Sequence, residues 1–285
     1  MFNLAKRNFK LYIRDKGAVF FSLLGALIMI SLYVLFLGNT IISGDMEKLP
    51  QIRFLTDSWM IAGVICVSTI TTTLGALGIM VDDITKKTRK DFSASPLKRY
   101  QIVGGYVLNS VAVGIFMSLL TFLVGEIYIL ADGGKILPVL GILKISGVIV
   151  LSVLASSSLT CFLVSFFKTS GAFSNASIVL GTLIGFITGS YIPVGSLPEA
   201  VGWVIKLFPL SHAAALFRQI MTADIIPVTF AGAPEIAAEF SAELGVTLEF
   251  GANTLSWPVH IAVLLGTAVL FYGLAIFRLA GKKRS

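Results

Sequence analysis

Six runs without a charged side chain, at residues 18–37, 58–81, 101–125, 145–167, 169–198 and 254–277, alternate with short islands that hold the charge. A bilayer's hydrocarbon core, about 30 Å thick, takes about 20 apolar residues wound as a helix. Each run is therefore long enough to cross. The third continues past Glu126 to Ala131 as a long or tilted helix. The fifth is interrupted by Pro193 and Pro198, so its spanning part ends near Tyr191. A closed barrel, the other way of satisfying backbone groups in lipid, needs short alternating segments, and these are absent. The pattern predicts an all-α integral membrane protein, one domain over residues 1–285 with six transmembrane helices.

Composition agrees. The 285 residues are 56% hydrophobic and 13% charged, with mean hydropathy +0.91. Soluble domains carry about 25% charged residues. A formal net charge of +7 could suggest nucleic acid. The basic residues, however, flank apolar runs, where anionic lipid and the positive-inside rule account for them. With the amino terminus inside, most of the 22 Lys and Arg fall on the cytoplasmic side. Only Lys48, Arg53, Lys135, Lys144, Lys206 and Arg218 fall outside. Both termini are expected in the cytoplasm, in a plasma membrane of bacterial type. Cys66 and Cys161 lie within apolar runs and read as small hydrophobes.

The islands carry their own patterns. Residues 1–16 place Phe2, Leu4, Leu11 and Tyr12 on one helical arc and Lys6, Arg7, Lys10 and Arg14 on the other. That division marks an interfacial amphipathic helix. No small-residue cleavage site follows the first run, so a secretory leader is not expected. Residues 82–96 open with Asp82 and Asp83, and Lys86, Lys87, Arg89 and Lys90 follow. Acid first and base last suits a helix dipole, and Pro96 ends the segment. A short charged cytoplasmic helix is expected there. Between residues 192 and 253, Pro193, Pro198 and Pro209 cut the chain into pieces too short to span, which reads as re-entrant or interfacial helices. Asp224, Glu235, Glu239, Glu243 and Glu249 then form an acidic outer cap.

The chain carries no phosphate-binding GxxxxGK[ST] loop and no HExxH or GxSxG motif, so it is not expected to be an enzyme. Glu126 and His260 are ionisable groups at or within spans. Glu126 is expected to reach the interface, and His260 to make a structural hydrogen bond. Gly181, Gly185 and Gly189 form a tandem GxxxG, which favours a close helix crossing within this chain or with another. Ser68, Thr69, Thr71, Thr72 and Thr73 make the second span rich in hydroxyls, and Asn175 and Thr182 do the same for the fifth.

In its order of elements the chain resembles the ABC-2 family of ATP-binding-cassette transporter permeases, the type V exporter fold. Lys90, Asp91, Phe92, Ser93, Ala94, Ser95, Pro96, Leu97, Lys98 and Arg99 look like the family's coupling segment, continued by Ile102, Gly105 and Tyr106. Gly189, Tyr191, Ile192-Pro193, Leu197-Pro198 and Pro209-Leu210-Ser211-His212 look like its broken end of span five, with Arg218 after it. Where many members have an E-x-G-T pattern, this chain has Asp82-Asp83-Ile84-Thr85-Lys86-Lys87-Thr88.

The resemblance implies an exporter's membrane subunit, paired with a second copy or a paralogue and driven by a separate ATPase that holds the ATP and magnesium. Asp83, Lys86, Lys87, Arg89, Lys90, Asp91, Phe92 and Pro96 would couple to that ATPase. Thr71, Thr72, Asn175, Thr182 and Phe186 would line a substrate pathway between spans two and five. The cargo would be hydrophobic or amphipathic: a drug-like molecule, a peptide or a lipid. A secondary transporter or channel is the alternative reading. It would need intramembrane carboxylates or an internal repeat. A membrane-embedded enzyme would need a cluster of nucleophile, acid and base.

Overall fold

The structure, a computed structural model, describes residues 1–37, 42, 44–86, 99–251 and 253–281. Helix α1 (Phe2–Arg14) is followed at once by α2 (Lys16–Leu32), which runs into a π-helical turn at Tyr33–Leu37. Asp15 separates the two helices, and its carboxylate accepts the Ala18 N–H at 3.0 Å. An acidic N-cap of this kind starts a helix by satisfying an orphan donor. The long helix α3 (Ile52–Thr85) leads to α4 (Arg99–Ala131), α5 (Val139–Val164) and α6 (Ser170–Ile187). Two short helices, α7 (Glu199–Leu207) and α8 (Pro209–Thr222), meet at 87°. Then come α9 (Ile226–Thr229), α10 (Pro234–Glu243), an antiparallel two-residue pair β1 (Glu249–Phe250) and β2 (Asn253–Thr254), and the last helix, α11 (Trp257–Gly281).

Six of these helices, α2, α3, α4, α5, α6 and α11, are long and apolar enough to cross a membrane, and they coincide with the six runs of the sequence. The bend between α7 and α8 follows from chemistry. Pro209 pre-sets the first turn of α8 and holds Phe208 extended at ψ 123°.

Helix α3 is the axis of the bundle. It packs against α4, α5, α8, α6 and α2, while α11 lies on α5 and α1 on α4. Hydroxyls, and not only apolar surface, join these helices. Thr69 bonds Ser152 at 2.9 Å and Ser156 at 3.2 Å, Ser68 bonds Thr121 at 3.1 Å, and Ser110 donates to the Thr73 carbonyl at 3.0 Å. Where no apolar gain separates helix contact from lipid contact, such bonds and close backbones do the joining. Gly114 and Gly125 of α4 supply the close approach, since an added Cβ would strike Thr73 and Val153 at the first and Ile61 at the second.

Helix α1 turns Leu4, Asn8 and Tyr12 inward and leaves Phe2, Leu11 and Ile13 exposed. Gly104 and Gly105 of α4 make room for Met1 and Leu4. The expected amphipathic helix is present, but its apolar arc is shared between the bundle and the exterior.

Candidate functional site

A cavity of about 530 Å³ opens between α2, α3 and α6. Helix α2 contributes Phe21, Ser22, Gly25 and Met29, and α3 contributes Val67, Ser68 and Thr71. Helix α6 adds Ser174, Ser177, Ile178 and Gly181, and Tyr191 completes the wall. No lining residue is charged, among those described. Three of the lining hydroxyls are engaged: Ser22 donates to the Ala18 carbonyl, Thr71 to that of Val67, and Ser68 bonds Thr121. Ser177 Oγ is buried and has no partner. Gly181 also faces open space, and a Cβ there would meet nothing within 4 Å.

On its other side α6 borders a smaller apolar cleft of about 150 Å³ that also touches Thr71 and Gly181. Helix α6 is therefore thinly packed: Phe173, Leu180 and Ile184 reach the bundle, and side-chain hydrogen bonds hold the helix at its two ends. At its start Ser170 donates to Asp82 at 2.6 Å and lies 3.2 Å from the Thr85 hydroxyl. At its far end Ser211 donates to the Ile187 carbonyl at 2.9 Å, and Arg218 donates to the carbonyls of Thr188 at 3.3 Å and Gly189 at 2.6 Å.

Of the pathway residues expected from sequence, Thr71 lines this cavity. Thr72 is buried and donates back to the Ser68 carbonyl at 2.6 Å. Asn175, Thr182 and Phe186 lie on the exposed surface of α6 and are not among the cavity's lining. The tandem glycine motif divides in the same way. Gly185 is covered by the ring of Tyr191 from its own chain, with no room for a Cβ. Gly189, at φ +63°, is the left-handed residue that ends the helix. The close approach at Gly185 is thus to a corner of this chain, not to a second helix, and Gly181 has no packing partner among the described residues.

The α1 end of the bundle corrects the expected coupling helix at its start. Asp82 and Asp83 belong to the last turn of α3, and Lys86 is its C-cap. Asp83 is 7% exposed, accepts the Tyr106 hydroxyl at 2.6 Å and pairs with Arg7 at 3.5 Å. These acids are held because three other helices bring donors to them. Lys87, Arg89, Lys90, Asp91, Phe92 and Pro96 lie outside the described residues.

The opposite end holds what sequence reading missed. Arg218, expected as an outer surface charge, is 1% exposed. Besides the two carbonyls of α6 it donates to the Gly245 carbonyl at 3.2 Å and stacks on Trp59 at 5.2 Å. A planar fork of five donors suits three carbonyls better than an ammonium would, and a cation at a helix C-terminus complements the dipole. Trp59 in turn donates to the Leu244 carbonyl at 2.7 Å. His260 has the structural bond expected of it, to His212, with Nδ1 atoms 2.9 Å apart. His212 Nε2 faces the Lys206 carbonyl at 3.1 Å and must carry its proton, because a carbonyl only accepts. Neutral His212 therefore accepts at Nδ1 and His260 donates. Glu126, expected at the interface, is 7% exposed and accepts the Leu137 N–H at 3.1 Å. Arg218 left one legible trace, its place within the proline-started helix α8; the histidine pair left none, its members being far apart in sequence.

Six apolar spans around a neutral lateral cavity define a multi-pass membrane protein. Residues 53–277 match the family described as ABC-2 family transporter protein, and the chain belongs to that family. It is accordingly an ABC transporter permease, a class that works with an ABC ATPase. No curated protein matches the chain.

Proposed function

We propose that this permease exports a hydrophobic or amphipathic molecule (drug-like, peptide or lipid) from a bacterial cell as a pair of transmembrane subunits, with both termini cytoplasmic. The ATP and magnesium belong to the partner ATPase, and the chain itself hydrolyses nothing. The carrying observation is the uncharged, hydroxyl-dotted cavity between α2, α3 and α6. Its size falls in the range of small-molecule sites, about 300–1,000 Å³. One wall, α6, has cavities on two sides and is hydrogen-bonded to the bundle at its ends, which suits a helix that must shift when a rigid-body motion reaches it. Asp83, Tyr106, Arg7, Asp82 and Ser170 join α1, α3, α4 and α6 at one end, so a push on the segment after α3 reaches all four.

The exposed polar groups of α6 favour pairing. Asn175 and Thr182 face outward on a span where lipid would leave an amide poorly satisfied. A second copy or paralogue set against α2 and α6 would cover them and close the cavity into a shared chamber.

The test is reconstitution of the permease with its ATPase in proteoliposomes. ATP-dependent movement of a hydrophobic cargo, stimulated hydrolysis, and loss of both on Ser177→Leu are expected. ATP hydrolysis by the chain alone, in a preparation free of any ATPase subunit, would overturn the reading.

A further inference from the structure

At the end of the bundle where α4 turns into α5, a second pocket of about 220 Å³ lies between α3, α4, α8 and the 132–138 turn. It is too small for drug-sized cargo and stands apart from the cavity described above, with no lining residue in common. Its walls are mostly apolar, with Phe54, Ile129 and Met221 among them. Three charged side chains also line it: Glu126, Lys135 and Asp224.

Glu126 is the unusual member. Its side chain is almost wholly withdrawn from water, at 7% exposure. One carboxylate oxygen, Oε2, accepts the Leu137 N–H. The other, Oε1, is buried with no hydrogen-bond partner. A carboxylate taken out of water is costly unless its oxygens are met by donors. The turn is built to keep it there. Gly133 takes φ +88°, and a Cβ on Gly134 would meet Ile129 at 2.6 Å and Phe54 at 2.7 Å, so the loop folds back tightly enough to deliver the Leu137 amide. Lys135 and Asp224, by contrast, are exposed at the rim.

We infer that this pocket binds a primary ammonium group, which donates to the open oxygen of Glu126. An ammonium offers three donors and a full charge, which match a buried half-satisfied carboxylate, and it is compact enough for a pocket of this size. A quaternary ammonium has no N–H and leaves Oε1 unmet. Of the two rim charges, Lys135 can meet a phosphate while Asp224 adds to the pocket's preference for a cation, so the pocket suits a zwitterion with ammonium inward and phosphate outward on the Lys135 side. Beside it Ile136, Val139, Leu140 and Leu143 at the start of α5 present bare apolar surface of the kind that faces acyl chains. A phosphatidylethanolamine headgroup meets all of these demands, and a free amine of similar size meets the first.

The experiment is thermal unfolding of the purified full chain, stripped of lipid in detergent. Phosphatidylethanolamine, phosphatidylcholine or free ethanolamine is added back in separate arms. Phosphatidylethanolamine should raise the melting temperature by several degrees and phosphatidylcholine should not. Protection by ethanolamine alone would support the ammonium site with a soluble amine as its occupant; protection only by the lipid supports it with the headgroup. Glu126→Gln keeps an acceptor for Leu137 but removes the charge. It should need about tenfold more lipid for the same shift. Equal protection by phosphatidylcholine would overturn the inference without recourse to any variant. So would undiminished phosphatidylethanolamine protection of Glu126→Gln.

Discussion

Arg218 shows how much one side chain can hold together in this molecule. Its guanidinium reaches the carbonyl end of α6 and the Gly245 carbonyl of the loop after α10, and it lies over Trp59 of α3. Removing it leaves three inward carbonyls without a donor, and each orphaned group costs about 1–3 kcal/mol. Arg218→Met is expected to lower the unfolding temperature sharply and the folded yield with it. Arg218→Lys should recover little, since an ammonium on a shorter reach cannot serve three carbonyls at once. Fluorescence-detected unfolding of the purified chain checks both, and a lysine variant as stable as the parent would show that the carbonyl cage is incidental. Nothing local in the sequence announces the cage. Arg218 finds its acceptors 27 to 30 residues away, and Glu126 is buried by a turn whose tightness depends on Gly133 and Gly134. Side-chain placement of this kind is set by tertiary neighbours, which composition and spacing do not specify.

Among the elements, the six spans were legible because apolar length is a local property that lipid imposes on each helix separately. The broken pair α7–α8 was legible for an equally local reason, its prolines. The start of the coupling segment was not. Asp82 and Asp83 look like the first residues of a new charged helix, but Ser170, Tyr106 and Arg7 let α3 carry them to its end. The glycines of α6 separate two expectations that sequence had merged. Gly185→Leu should collapse folded yield, because the Tyr191 ring fills the space a side chain needs. Gly181→Leu should fold normally, with open space before it, yet narrow the cavity and abolish transport. Size-exclusion profiles of the two variants beside Leu183→Ala make the comparison. Equal yields for Gly181→Leu and Gly185→Leu would show that the Tyr191 corner tolerates displacement.

The segment between α3 and α4 carries its own expectation, which rests on the family and the sequence. Phe92 is the one aromatic side chain in a charged stretch whose other large apolar residue, Leu97, follows Pro96. Burying such a ring in a partner contributes about 1.5–3 kcal/mol. Phe92→Ala should insert and pair normally, while ATPase co-purification weakens and transport fails. Lys98→Ala, beyond Pro96, should do much less. If both variants capture the ATPase like the parent, Phe92 is not the docking side chain.

At the scale of the whole molecule the proposed pairing asks which face would meet another subunit and which would meet lipid. Exposed apolar surface does not decide it, because lipid tails satisfy leucine as well as a protein does. Polar side chains on the outside of spans favour one face for the proposed partner. The exposed side chains on α11, Val259, Leu265, Val269, Leu270, Leu274, Ile276 and Phe277 among them, are those lipid accepts. The exposed surface of α6 mixes Ile178, Val179 and Leu183 with Ser174, Asn175 and Thr182. It also flanks a cavity that is open on one side and contains an unpartnered hydroxyl. A subunit placed there would cover Ser174 and Asn175 and wall the cavity, whereas a subunit placed on α11 would gain nothing over lipid. A single cysteine at Ile178, 67% exposed on α6, should therefore link two chains with a short thiol crosslinker in membranes. One at Val269, 76% exposed on α11, should not. Cys66 and Cys161 are buried, so the native thiols contribute little background. Crosslinking at Val269 with none at Ile178, in a complex that still hydrolyses ATP and transports, would place the partner on α11 and leave the cavity open to lipid.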